Sequence, residues 1–289
     1  MIKVENINVF NFKGALRGLR NPLNSWNKSD SGFGYGSLNW GLEDTDFDDV
    51  ANVHLEAMRE RLHKEGDIEE KRYDEEAEKI YNWLIEQGTS NYFGYNQYSE
   101  HYIEYNFVGP KDLNLMERMI LAGTDESKFL RQIFISMDIT APLSFWKEFD
   151  TYKVGTVANS CSTMHTLDKK PITKDMFSFD TPEEWPNEYW DDEWPQDLNV
   201  NIADDIINTL EWLRKRYKET GNKLYWRYLI DILPDGFMQK RTVTLNYQVA
   251  RAMYFARRYH KKMEWRDLCK IFADLPYAQN TITLEKKEK

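Results

Sequence analysis

Small and hydroxyl-bearing side chains crowd the segment Thr151 to His165, TYKVGTVANSCSTMH, directly after APLSFWKEFD. Polar side chains on a tight, glycine-containing segment fed by a buried strand are the usual makings of a ligand site. Within it, Cys161 or Ser162 is a candidate nucleophile with His165 as its base. No third group that would orient such a pair is identifiable, so packing is the expected role of Cys161. A second polar region, LPDGFMQKRTVTLN, carries Lys240 and Arg241, which read either as phosphate contacts or as solvent-facing strand residues. Arg257, Arg258, His260, Lys261 and Lys262 form a basic cluster that suits the C-terminal end of a helix. His54, His63, His101, His165 and His260 do not converge on a ligand spacing, and no metal site is expected.

The elements that must position these residues follow from periodicity. Ile2 to Phe10 alternates as a strand, and the glycine-rich stretch up to Ser37 reads as turns and loop. Charge-rich helical spacing from about Asp46 to Gln87 predicts an inserted helical hairpin, and the tyrosine-rich stretch Tyr92 to Tyr105 stays unassigned. A helix is expected from Asp112 to Ala122, with Asp112 near its start and Gly123 as its stop. Ile133, Ile135, Met137 and Ile139 alternate with more polar positions and predict a strand with one apolar face. Pro142 then opens a short helix in which Leu143, Trp146 and Phe149 share a face. Three tryptophans and three prolines among carboxylates make Phe179 to Asp197 an acidic surface loop. Helices are expected at Ile202 to Thr220, Lys223 to Leu233 and Glu264 to Ala273, with RTVTLN as a strand leading into another helix that ends near His260.

Composition bounds the function classes. At 289 residues and 41% hydrophobic, the chain is long enough for one large domain carrying an insertion. Its 48 acidic against 38 basic residues give a net charge of -10, which disfavours sequence-independent binding to nucleic acid. No apolar run approaches the roughly 20 residues that span a bilayer, and charges interrupt any secretory core in MIKVENINVF. Two cysteines outside any CxxC spacing fit reduced thiols, so a soluble, intracellular, cytoplasmic protein is expected.

Four pieces, DLNLMERMILAG, QIFISMDITAP, DTYKVGTVANSCSTMH and LPDGFMQKRTVTLN followed by Arg257, together resemble in order and spacing the flavin-dependent thymidylate synthases. That family shows an Arg-His-Arg-x-x-Ser-x-Asn-Glu-x-Ser-x-Arg-Tyr signature and, later, Leu-Pro leading to Thr-x-Asn. Thr151, Tyr152 and Lys153 fall on Arg-His-Arg, Thr156 on the first Ser and Asn159 on Asn. After one inserted residue, Ser162 falls on the second Ser, Met164 on the Arg and His165 on the Tyr, while Thr244 and Asn246 stand on Thr-x-Asn. Ile230 and Gln132 replace a phosphate-binding Arg and a strand His.

What the resemblance implies is an α/β (α+β) fold with that family's central sheet, spanning residues 1–289 as a single domain. A helical insertion near 45–105 and an acidic Trp-rich loop near 168–200 would enlarge it. It implies FAD as cofactor, with methylenetetrahydrofolate and NADPH as co-substrates and a pyrimidine nucleotide such as dUMP as substrate. Lys153, Thr156, Asn159 and Asn246 would contact the cofactor. Tyr152, Ser162, His165, Arg241 and Arg257 would contact the substrate, with Ser162 and Arg257 also serving catalysis; His165 reads equally as a satisfied core histidine. A homotetramer is implied as well. The loss of two Arg-His-Arg members leaves open a second expectation, a catalytically inactive relative that binds nucleotides or a protein partner.

Overall fold

The computed structural model describes residues 2–37, 93–94, 102–179 and 201–286. The expected helical hairpin from Asp46 to Gln87 and most of the acidic loop lie outside them, as do His54, His63 and His101. Helices and sheets together make the fold mixed, as expected. The chain divides into two compact units, each assembled from separate stretches.

The first unit comprises residues 1–7, 136–245 and 255–271. Its sheet has the order β1-β5-β7-β6, with β1 at Lys3–Phe10, β5 at Phe134–Pro142, β6 at Thr156–Ser160 and β7 at Met238–Asn246. Among the described residues β6 is an edge strand, and it runs antiparallel to β7, with Asn159 opposite Thr242 and Thr156 opposite Leu245. The alternation read in the sequence holds along β5, where Ile135, Met137 and Ile139 are buried and the intervening positions only half so.

Asp138, on the less buried face of β5, ties three strands together. Its carboxylate accepts from Thr242 Oγ1 of β7 at 2.6 Å and from Asn6 Nδ2 of β1 at 2.9 Å, and lies 3.1 Å from Lys240 Nζ. Asn6 reaches it from a left-handed backbone, φ 54°, a conformation that asparagine tolerates better than most residues. These donors favour the ionised form, and the Asp138 pKa falls to about 2, the Thr242 hydroxyl being the largest cause.

A separate apolar cluster lies under the helical hairpin formed by α5, Asn201–Thr220, and α6, Lys223–Asp231. Leu210, Leu213 and Leu229 pack with Leu167, Ile172, Phe177 and Phe237. Asn222 caps the second helix of the pair, its Oδ1 accepting the Leu224 N–H at 3.0 Å.

The second unit comprises residues 8–135, 246–254 and 272–289. Here the structure departs from the expected loop between Phe10 and Ser37: α1 occupies Phe12–Arg20 and β2 Gly32–Ser37. Phe12, Ala15 and Leu16 recur at helical spacing and are buried, which two glycines inside the helix had masked in the sequence. A Cβ at Gly18 would stand 2.3 Å from Gln132 Oε1, the far end of a flexible side chain that can turn aside. β2 pairs antiparallel with β4 at Tyr102–Phe107, and β4 with the short β3 at Phe93–Gly94.

The expected helix after Gly109 forms as α2, Pro110–Ala122, and stops at Gly123 with φ 145°. Its N-terminal amides are capped from afar: Asp30 accepts from the Lys111 and Asp112 N–H groups at 2.8 and 3.0 Å. Asp112 does not cap. It is fully buried, ion-paired with Arg20 through both Nε and Nη2, and accepts from the Ser29 and Ser31 hydroxyls at 2.5 Å each.

Removing one partner from a buried ion pair leaves an uncompensated charge and costs about 3–5 kcal/mol. Asp112→Asn is therefore expected to lower the urea-unfolding free energy by about that much, and an unchanged unfolding midpoint refutes this account of Arg20. The Asp138 carboxyl has a folded pKa depressed below its ordinary 3.8, so its stabilisation is complete above that value and is lost as pH falls towards about 2. Stability measured across that window should decline less steeply in Asp138→Asn than in the wild type; parallel curves would contradict it.

Candidate functional site

Phe145, Trp146 and Phe149 of α3, Leu143–Phe149, are all buried. The first-turn amides of this helix donate to the Phe237 and Asp235 carbonyls at 3.0 Å, and Lys147 pairs with Asp235. The aromatic side chains pack on Trp265 of α8, Met263–Ala273, with ring centroids 4.6 Å apart for Phe145 and 6.3 Å for Phe149. A fully buried indole needs an acceptor for its N–H. Glu148 supplies it, its Oε2 lying 2.6 Å from Trp265 Nε1.

The same carboxylate gathers the basic cluster. Arg257 Nη1 lies 3.4 Å and His260 Nε2 3.6 Å from Oε2, and Lys262 Nζ 3.9 Å from Oε1. Arg257 ends α7, Tyr247–Arg257, and its Nε donates to Tyr152 Oη at 3.1 Å. Its guanidinium also stands 4.9 Å from the Trp265 ring centroid, within cation–π range. The Lys262 N–H donates to His260 Nδ1, which assigns the proton of the neutral ring to Nε2, facing Glu148. Burial lowers the His260 pKa against the pull of Glu148, with Arg257 and Lys262 adding to the drop and Glu264 opposing it. The imidazole is thus neutral at neutral pH.

A second guanidinium sits along β7. Arg241 donates through Nη1 to Asp150 Oδ1 at 2.8 Å and through Nε to Gln239 Oε1 at 2.9 Å, and lies over the Trp146 ring at 4.3 Å. Gln239 Nε2 in turn donates to the Cys161 carbonyl at 3.1 Å and to Thr163 Oγ1 at 3.2 Å. Both guanidinium groups are therefore held by aromatic faces and a carboxylate. Asp150 is half exposed, so solvent screens its pair with Arg241, and such a bridge is worth about 1 kcal/mol or less.

The segment Thr151 to His165 is less of a loop than its composition suggests. It contains β6 and all but the last residue of the helix α4, Thr163–Thr166, because pairing with β7 satisfies its backbone while its small polar side chains tolerate exposure. Lys153, Asn159 and His165 are exposed, Thr156 donates its hydroxyl to the Tyr152 carbonyl at 2.5 Å, and the Ser162 carbonyl accepts from Thr166. Cys161 is exposed rather than packed, whereas Cys269 is buried and its thiol pKa pushed up to about 12 by that burial. Asn246 belongs to the second unit, where it is buried and accepts the Val249 N–H at 3.0 Å, starting α7.

Of the residues singled out in the sequence, the structure thus brings Tyr152 and Arg257 into contact, and links Arg241 to the backbone at Cys161 through Gln239. Sequence reasoning missed Glu148, Asp150 and Trp265. A carboxylate within the aromatic turn FWKEF was visible, but its indole partner lies 117 residues away. Among the described residues no three His, Cys, Asp or Glu side chains are grouped to hold a metal, and no helix is long and apolar enough to cross a membrane.

No protein-family model matches the chain, and neither does any curated protein. Among solved structures it is similar to a flavin-dependent thymidylate synthase from Helicobacter pylori complexed with FAD and dUMP. The identity is 20% over 60% of this chain and 81% of that one, with a TM-score of 0.42. A second crystal structure of the Helicobacter pylori enzyme with FAD and dUMP gives 18% identity over the same shares and the same TM-score.

Tyr152→Phe removes the hydroxyl that receives Arg257 Nε and should cost about 1 kcal/mol of unfolding free energy, the usual net worth of such a bond. Denaturant unfolding of the two proteins checks it, and equal stability would mean that Glu148 and the Trp265 face suffice to hold the guanidinium.

Proposed function

We propose that the chain is a divergent flavin-dependent thymidylate synthase-like enzyme, using FAD for one-carbon transfer to C5 of a pyrimidine, dUMP being the substrate that the sequence resemblance implies. The hydrogen bond between Arg257 and Tyr152 carries this reading. These residues stand 105 positions apart, and the resemblance places both at one nucleotide site; their contact supports that assignment. Methylenetetrahydrofolate as carbon donor and NADPH as reductant complete the reaction.

The donors suit a flavin. Lys153 offers an exposed ammonium for a diphosphate and Asn159 an exposed amide, with Thr156 on the same strand. Asn246 has its carbonyl oxygen committed to the helix cap and retains only its amide N–H groups for a ligand. Bound flavin would supply the hydride. The task of the chain's own residues is to bind and orient the reactants and to exclude water, with Tyr152, Arg241, Arg257, Ser162 and His165 on the substrate side.

A homotetramer belongs to the same reading. β6 is an edge strand, and Val157 on it is 67% exposed, with Val154 before it at 91% and Met164 after it at 53%. Exposed apolar edges are blunted in monomers and covered in oligomers. A monomer mass in sedimentation at micromolar concentration would exclude this assembly.

The second reading, a catalytically inactive nucleotide-binding or protein-interaction module, is favoured by one observation. Both guanidinium groups expected on the substrate side, Arg257 by resemblance and Arg241 as a substitute phosphate contact, already have carboxylate partners, Glu148 and Asp150. The purified protein is expected to bind FAD, seen as a flavin absorption band retained through gel filtration, and with reduced flavin to release the C5 hydrogen of labelled dUMP or deoxyuridine. Absence of flavin binding on titration rules the enzyme out, and flavin binding without hydrogen release from either compound leaves the module.

A further inference from the structure

We infer that the basic, aromatic turn joining α7 to α8 docks the acidic, tryptophan-rich segment Phe179–Asp197 of a second copy of the chain, an inference independent of the flavin reading above. Around Tyr259, the residues Arg257, Arg258, His260, Lys261 and Lys262 are all basic. Glu148 is shared by Arg257 at 3.4 Å and Lys262 at 3.9 Å, so one negative charge faces two positive ones. Lys261 is exposed and, among the described residues, has no carboxylate partner. The turn is thus a positive patch on a chain whose net charge is -10.

Two hydrogen bonds fix this turn: the His260 N–H donates to the Arg257 carbonyl at 2.9 Å, and the Lys262 N–H to His260 Nδ1 at 3.2 Å. The Arg258 guanidinium lies 4.9 Å from the ring centroids of both Phe255 and Tyr259, within cation–π range of each. Tyr259 itself is 85% exposed, an aromatic face that the single chain leaves open. Cations and a ring displayed on a fixed turn lose little freedom when a partner arrives. The partner must offer carboxylates to the cations and a flat apolar group to the ring. The segment Phe179–Asp197 offers both, with eight carboxylates, no basic residue, and Trp185, Trp190 and Trp194 each next to a carboxylate in sequence. It carries most of the chain's net charge, so the rest of the chain is close to neutral and does not repel it. A nucleic acid would be drawn to the patch but repelled by the same acidic segment. Because Tyr259 is open in the single chain, the covering segment is assigned to another copy.

The test is fluorescence anisotropy of a labelled synthetic peptide with the sequence of residues 179–197, titrated with the full-length protein. Binding should weaken at least tenfold in Tyr259→Ala and in Lys261→Glu, and by as much when salt is raised or when the peptide's three tryptophans are replaced by alanine. Both substituted side chains are exposed, so the variants should melt at the wild-type temperature. Sedimentation of the full-length protein at low salt should show self-association that Lys261→Glu reduces. A peptide that does not bind, or that binds the variants as tightly, overturns the inference, as does a monomer at low salt. Tighter binding of a labelled single-stranded oligonucleotide than of the peptide overturns it in favour of a nucleic acid partner. The measurement needs no flavin, so its failure leaves the flavin reading standing.

Discussion

One carboxylate holds the candidate site together. Glu148 accepts the hydrogen bond of a fully buried tryptophan, and the position of that tryptophan decides what lies around it. Trp265 fills the space beside Phe145 and Phe149, presents its ring to Arg257, and lies 5.9 Å from Tyr152. Without an acceptor the indole N–H would be a buried unsatisfied donor, a penalty comparable to losing a cap or a core methyl group. Glu148, with its second oxygen turned to Lys262, then sets the charge of the surroundings. Packing, polarity and the orientation of Arg257 are consequences of the same contact.

At this site the spacing of residues along the chain and the chemistry they can offer are separate matters. Thr151 and Tyr152 stand where the sequence resemblance leads one to expect cations, yet Tyr152 is a neutral phenol that meets Arg257 through its hydroxyl. Arg241 is stacked on Trp146 and clamped by Asp150 and Gln239. A guanidinium so fixed is well oriented and poorly available. Pairing of this kind restricts what a positive side chain can recognise, even where its position along the chain is right.

Much of the framework was legible because its signals are local. The apolar period along β5, the stop at Gly123 and the shared face of Trp146 and Phe149 each need only a few neighbouring residues to be read. α1 was not legible, since Gly14 and Gly18 lower the helical signal, while the burial of Phe12, Ala15 and Leu16 that supports the helix is a tertiary outcome. Asp112 shows the same limit from the other side. Its place in a first helical turn suggested a cap, but the cap comes from Asp30, and Asp112 faces Arg20 inside the unit.

By itself, then, the sequence determined the mixed fold class, most of the helices and strands, and the candidate positions Tyr152, Arg241 and Arg257, because periodicity, proline and glycine signals and spacing are properties of contiguous residues. Only the tertiary structure decided which carboxylates meet those cations, that Asn246 caps a helix, and that Asn159 and Val157 lie on an exposed edge. The carboxylate pairs and the strand pairing depend on contacts between residues about eighty to more than a hundred positions apart, whereas the Asn246 cap is a local contact with Val249. No local pattern encodes the distance between Glu148 and Trp265, which folding brings to 2.6 Å.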